Sequence, residues 1–102
     1  MPQSSSAALF KPHEKSTFVI NFEDGSFNLY LDKVEISKNQ MEGYESFSLY
    51  FFSEGEICLP QGTYSLEHPV LERKDIFIVP IRENEKGFEY QAVFNVTAEK
   101  NC

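Results

Sequence analysis

Cys58 and His68 form the one nucleophile and base pair in the sequence that merits weighing for catalysis, ten positions apart with Gln61 and Glu67 nearby. A cysteine nucleophile needs a base or cation within hydrogen-bond reach to become a thiolate. Two residues on extended strands at this spacing meet only through a tight reversal. Inert packing of Cys58 beside Leu59 is therefore expected, and a thiol/histidine enzyme stands last of three functional readings.

Metal chemistry has still less to work with. His13 and His68 are isolated from each other in sequence, and there is no Cys-x-x-Cys, no His-x-His and no acidic loop of calcium-binding pattern. A Gly-rich phosphate loop and a nucleophile elbow are also missing. Glu54, Glu56, Glu67, Glu83 and Glu85 fall at turns and strand ends, where carboxylates are solvated. No metal, no cofactor and no enzymatic activity are the expectations. Asn95-Val96-Thr97 fits a glycosylation sequon, but that motif is common by chance and carries no weight alone.

The elements that would position any site are strands. Ten Phe and five Tyr with no Trp favour pleated, half-buried surfaces. Phe18, Ile20 and Phe22 alternate with polar or smaller residues, Asp24-Gly25 interrupts, and Phe27, Leu29 and Leu31 resume, which is the pattern of a hairpin. After Leu31 the apolar positions shift parity to Val34 and Ile36, which places a bulge or short turn at Asp32-Lys33. A polar stretch with Gly43 precedes a strand over Ser46–Phe52. Short extended pieces follow around Pro60-Gln61-Gly62 up to His68-Pro69, then a strand over Asp75–Ile81 and another through Phe88, Tyr90, Ala92, Phe94 and Val96. The expected fold is all-β: one small antiparallel sandwich or partly open barrel of six to seven strands over residues 16–97. A flexible arm over 1–15 precedes it and a polar tail over 98–102 follows. Leu9 and Phe10 are the exception in the arm, with docking on the domain the favoured reading.

Charge narrows the partners. Sixteen acids against nine bases give −7, with no local cluster of Lys and Arg, so phosphate backbones and anionic lipid would be repelled. Neither nucleic acid nor membrane is expected as a partner. No apolar run reaches the roughly 20 residues of a membrane span, residues 1–10 lack the pattern of a signal peptide, and Cys58 and Cys102 read as free thiols, so the chain reads as cytoplasmic.

Two strands depart from the alternation that a one-sided sheet requires. Tyr50 and Phe52 stand behind Phe47, Leu49 and Phe51, and Ile76 and Ile78 behind Phe77, Val79 and Ile81. Exposing such side chains forgoes roughly 1.5–3 kcal/mol each, so something must cover the second face: a loop, the arm, barrel closure or a partner protein. Tyr50, Phe52, Ile76 and Ile78 are the candidate interface. Pro80 cannot donate to a ladder, which makes its strand an edge or bulged there.

The ordered blocks Phe47–Phe51, Leu59–Pro69, Phe77–Ile81 and Tyr90–Asn95 resemble a family of small bacterial all-β domains of unknown function, over roughly the last two-thirds of the chain. Where that family commonly has Gly after the His-Pro-x-Leu segment, this sequence has Glu72. The resemblance carries no established activity. The resemblance implies an assembly role beside phage-tail-like fibre or collar proteins. Together these features put a non-catalytic protein-interaction or assembly module first, binding another protein or itself, and a small-molecule-binding β-barrel lined by the many aromatics second.

Overall fold

The computed structural model describes residues 7–37 and 44–97; the segment ahead of Ala7, the Gly43 loop and the tail 98–102 with Cys102 lie outside the described residues. Six antiparallel strands close into a barrel in the order β1-β2-β3-β6-β5-β4. They are β1 (Thr17–Phe22), β2 (Gly25–Ser37), β3 (Tyr44–Glu54), β4 (Gly62–His68), β5 (Glu72–Asn84) and β6 (Gly87–Thr97). Of the two all-β architectures that the sequence allows, the sandwich is thus excluded.

The strands form two meanders of nearly equal pattern: 6, 13 and 11 residues in β1–β3, then 7, 13 and 11 in β4–β6. In each, the long middle strand changes partner. β2 pairs with β1 from Gly25 to Tyr30 and with β3 from Tyr30 to Ser37. β5 pairs with β4 from Glu72 to Ile78 and with β6 from Val79 to Asn84. A register shift follows each change, between Leu31 and Lys33 and between Pro80 and Arg82. The parity switch at Asp32 and the proline at position 80 are the sequence marks of these bends. Closure rests on a short seam, Val19 opposite Glu67 and Ile20 opposite Leu66.

Inward rows fill the interior: Phe18 and Ile20 from β1, Leu29, Leu31 and Val34 from β2, Phe47, Leu49 and Phe51 from β3, Leu66 from β4, Ile76 and Ile78 from β5, Tyr90 and Ala92 from β6. Both ends are crossed by chain. At the end that carries the β1–β2 and β5–β6 turns, the β3–β4 connection brings in buried Leu59, whose N–H donates to the Tyr90 hydroxyl at 2.9 Å; Ser53 Oγ lies 3.2 Å from the same oxygen. Tyr64 OH donates to the Pro60 carbonyl at 2.7 Å and fixes the corner of that connection. Gly87 faces Glu54 across the ladder, and a Cβ there would overlap the Ser53 carbonyl oxygen, so only glycine allows the approach.

The opposite end is covered by residues that the sequence places in a loose arm. A single helical turn, α1 (Ala7–Phe10), and a 3₁₀ turn (Lys11–His13) pack there with Ala7 and Phe10 buried. The Phe10 ring lies 6.2 Å from Phe47 and 5.9 Å from Phe94, and those two stack on each other at 4.8 Å. Leu9 packs against the same core. The arm's polar residues conceal a second device. Glu14 Oε2 accepts the Val34 N–H at 2.6 Å and Lys11 Nζ donates to the Val34 carbonyl at 3.2 Å, so two side chains satisfy the edge of β2 ahead of the start of β1. The ammonium and the Val34 N–H together hold the Glu14 carboxyl below its ordinary range, with the backbone hydrogen bond the larger cause.

The β1–β2 turn runs over Glu23-Asp24, with Phe22 opposite Gly25, one residue before the Asp24-Gly25 position read from sequence. Glu72 has φ 63°, the left-handed conformation for which glycine is suited. Replacing Phe10 by Ala should cost about 3 kcal/mol through the lost ring and the cavity left behind. Glu72→Gly should stabilise by up to about 1 kcal/mol, the relief of φ exceeding the added freedom of the unfolded chain. Urea denaturation measures both.

Candidate interaction surface

Because β2 leaves β3 below Tyr30, the two strands diverge on the side of the β1–β2 turn. Their ladder stops at Tyr30 opposite Phe52, although β3 runs on to Glu54. An open groove of about 610 Å³ lies at this divergence, lined by Thr17, Ser26, Asn28, Tyr30, Phe52 and Glu54 with Phe27. A smaller hollow of about 210 Å³ adjoins it, lined by Tyr30, Asp32, Tyr50, Phe51, Phe52 and Glu89. Phe52, an interface candidate from sequence, thus lines both. Tyr50 is held more firmly: its hydroxyl donates to Glu35 Oε1 and accepts from Gln91 Nε2, each at 3.1 Å, and Lys33 Nζ sits 5.1 Å from its ring centre. Burial, and then the Glu35 carboxylate, push its phenol above the ordinary value.

The other two interface candidates are corrected. Ile76 and Ile78 are in the core, 2% and 0% exposed, and the outward row of β5 is Phe77, Val79 and Ile81. Parity is set by β4, whose Tyr64 pairs with Ile76 and Gly62 with Ile78. Leu66 and His68 of β4 point inward while Thr63, Ser65 and Glu67 are exposed, so the even positions of β5 go in with them. That polar alternation in β4 was the sequence signal that decides between the two apolar rows. Phe77 is 51% exposed, Ile81 42%, and Val93 on the outer side of β6 60%.

Cys58 and His68 are not brought together. Cys58 is exposed rather than packed, and its thiol faces the Leu59 carbonyl at 3.7 Å; Leu59 alone of the pair turns inward. His68 is buried, and both ring nitrogens are engaged. Nδ1 accepts the N–H groups of Val70 at 3.0 Å and Leu71 at 3.3 Å, which places the proton on Nε2. Nε2–H then donates to Ser16 Oγ at 3.0 Å, and Ser16 O–H donates to the His13 carbonyl at 2.5 Å. A serine beside a histidine suggests a nucleophile and its base, but here the lone pair needed to accept the serine proton is used by the turn that follows His68. The imidazole packs 4.7 Å from Phe18 and edge-on to His13 at 4.8 Å. Burial, and then His13, hold its pKa below the ordinary histidine value. The His68-Pro69 signal thus belongs to corner architecture.

No helix among the described residues is long and apolar enough to cross a membrane. The sequence matches the family described as "Domain of unknown function (DUF6916)" over residues 5–94, and the chain belongs to that family. Neither the curated proteins nor the solved structures contain a match.

The His68 network makes stability depend on pH with a fixed sign. A histidine whose pKa is lower folded than unfolded contributes stability that is complete above the unfolded value of about 6.5. That contribution disappears as pH falls through the lower folded value, because the unfolded chain takes up the proton first. Urea midpoints should therefore fall on acidification from pH 7.5 toward 5, and His68→Asn, which keeps a turn acceptor but does not titrate, should flatten that segment of the profile. An unchanged slope in the variant would contradict the assignment.

Proposed function

We propose that this DUF6916 chain is a non-catalytic module for protein interaction or assembly, with a fibre- or tail-like bacterial assembly the setting that its family resemblance implies. The observation that carries the reading is the outward row of Phe77, Val79 and Ile81 on β5, together with the exposed Val93 on β6. Large apolar side chains grouped on the outside of a barrel favour association, because a partner removes from water surface that the monomer leaves wet. Such positions gain little for the isolated fold and can be retained for binding. The reading of the aromatics as the lining of a ligand cavity has less support, since Phe18, Phe47, Phe51 and Tyr90 fill the interior themselves.

The double variant Phe77→Ser/Ile81→Ser should keep the wild-type unfolding free energy, measured by urea denaturation, to within about 1 kcal/mol, since exposed surface positions contribute little to stability, and should lose association. Native mass spectrometry of the untagged protein, isolated gently from its own host, is the measurement. A defined self-oligomer or a stoichiometric polypeptide in the wild type, absent from the variant, is the expected result. A bare wild-type monomer would count against the module.

A further inference from the structure

Resting on the interaction-module reading, we propose that the groove between the diverging strands β2 and β3 receives an extended, basic segment of the partner, paired by its main chain. Three observations converge on this site. First, the register exposes strand edges. Leu31 bonds toward β1, its N–H to the Ser16 carbonyl at 2.8 Å and its carbonyl from the Lys15 N–H at 2.7 Å. Main-chain groups alternate sides along a strand, so Leu29 and Phe27 also serve β1, whereas Asn28 and Ser26 direct their N–H and C=O toward β3. The β2–β3 ladder has no pairs below Tyr30 and Phe52, so those groups open into the groove. An edge of this kind accepts an added strand.

Second, the groove has the size and lining for such a segment. Its volume of about 610 Å³ falls in the range of about 300–1,000 Å³ usual for ligand sites. Tyr30 and Phe52 supply an aromatic wall, and Thr17, Ser26 and Asn28 supply hydroxyl and amide groups.

Third, the charge selects the partner. The topology carries the β1–β2 turn, the β3–β4 connection and the β5–β6 turn to the same end of the barrel. With them come Glu23 and Asp24, Glu54 and Glu56, and Glu83 and Glu85, against Arg82 and Lys86. Arg82 Nε is already 3.9 Å from Glu89. Exposed carboxylates gathered at one end of the barrel, with Glu54 in the groove lining, attract a cationic chain and repel another copy of this one, whose net charge is −7. The occupant is therefore a Lys- or Arg-bearing strand, not a second copy.

Panning a displayed library of random dodecapeptides on the full chain, followed by amide chemical-shift mapping with a synthetic copy of the most enriched peptide, tests this. The expected result is enrichment of peptides rich in Lys or Arg, shifts at Ser26–Tyr30 and Phe52–Glu54, and affinity that falls steeply with salt. Glu54→Lys/Glu56→Lys should weaken binding about tenfold or more by reversing the local field. Asn28→Pro, which removes an N–H facing the groove while leaving the β1 ladder intact, should weaken it separately. Failure to enrich any peptide, enrichment without basic residues, or binding indifferent to both variants would overturn the proposal. Shifts confined to Phe77, Ile81 and Val93 would overturn it too, while leaving the wider interaction reading standing.

Discussion

Everything in this molecule follows from how a long strand is shared between two neighbours. A six-stranded barrel is too narrow for its core to be loose, so each strand can turn only one row of side chains inward. β2 and β5 are about twice as long as β1 and β4. Each long strand therefore begins beside its short partner and ends beside the next strand, and the sheet must bend where the partner changes. The bends fall at Asp32 and Ile81, in equivalent places of the two meanders. Bulges permit this, because one extra residue increases twist locally and restores the alternation beyond it.

Sharing strands in this way leaves backbone to be satisfied by other means. Ahead of the start of β1, Glu14 and Lys11 take the place of a strand against Val34. Where β3 leaves for β4, the Tyr90 hydroxyl accepts the Leu59 N–H from inside the core, and burial pushes that phenol above its ordinary pKa. Where β4 turns into β5, the His68 imidazole accepts two turn amides. Each substitution is a side chain completing a main-chain bond that regular pairing cannot reach, which is why buried polar groups are tolerated in so small a core. The same geometry engages both nitrogens of His68, Nδ1 with the two turn amides and Nε2 with Ser16 Oγ.

Much of this was legible in the sequence. The alternation through Phe18–Leu31, the parity change at Asp32 and the donor missing at Pro80 are local signals, and the strands and bulges stand where these put them. Long-range consequences were not legible. Lys11 and Glu14 look like ordinary solvated charges, and only the start of β1, known from the barrel, gives them backbone to bind. Docking of Leu9 and Phe10 on the domain was the favoured reading and holds, but the site that receives Phe10, made by Phe47 and Phe94 far away in the chain, was not visible in the sequence. Ile76 and Ile78 were ambiguous for a different reason: both rows of β5 are apolar, and the choice between them is made by the polar alternation of its hairpin partner. The equivalence of the two meanders has no counterpart in sequence, since lengths and bends match while residues do not.

That equivalence also organises the surface. Each meander leaves one place where its second and third strands diverge, and antiparallel pairing puts the two places at opposite ends. In the first, the divergence lies among Ser26, Asn28, Tyr30, Phe52 and Glu54, at the end where the acidic turns collect. In the second, β5 before Val79 and β6 after Gln91 are unpaired with each other, and the outward residues there include Phe77 and Val93. One architectural event has therefore been finished with aromatic, polar and acidic side chains at one end and with exposed aliphatic and phenylalanine side chains at the other. A barrel built only for stability would gain from closing both with the same small, neutral residues, because neither crowded carboxylates nor exposed phenylalanine benefits a lone domain. On the proposed interaction-module reading, the contrast assigns the two ends different contacts: water-excluding contact at Phe77 and Val93, and charge-selecting contact at Glu54.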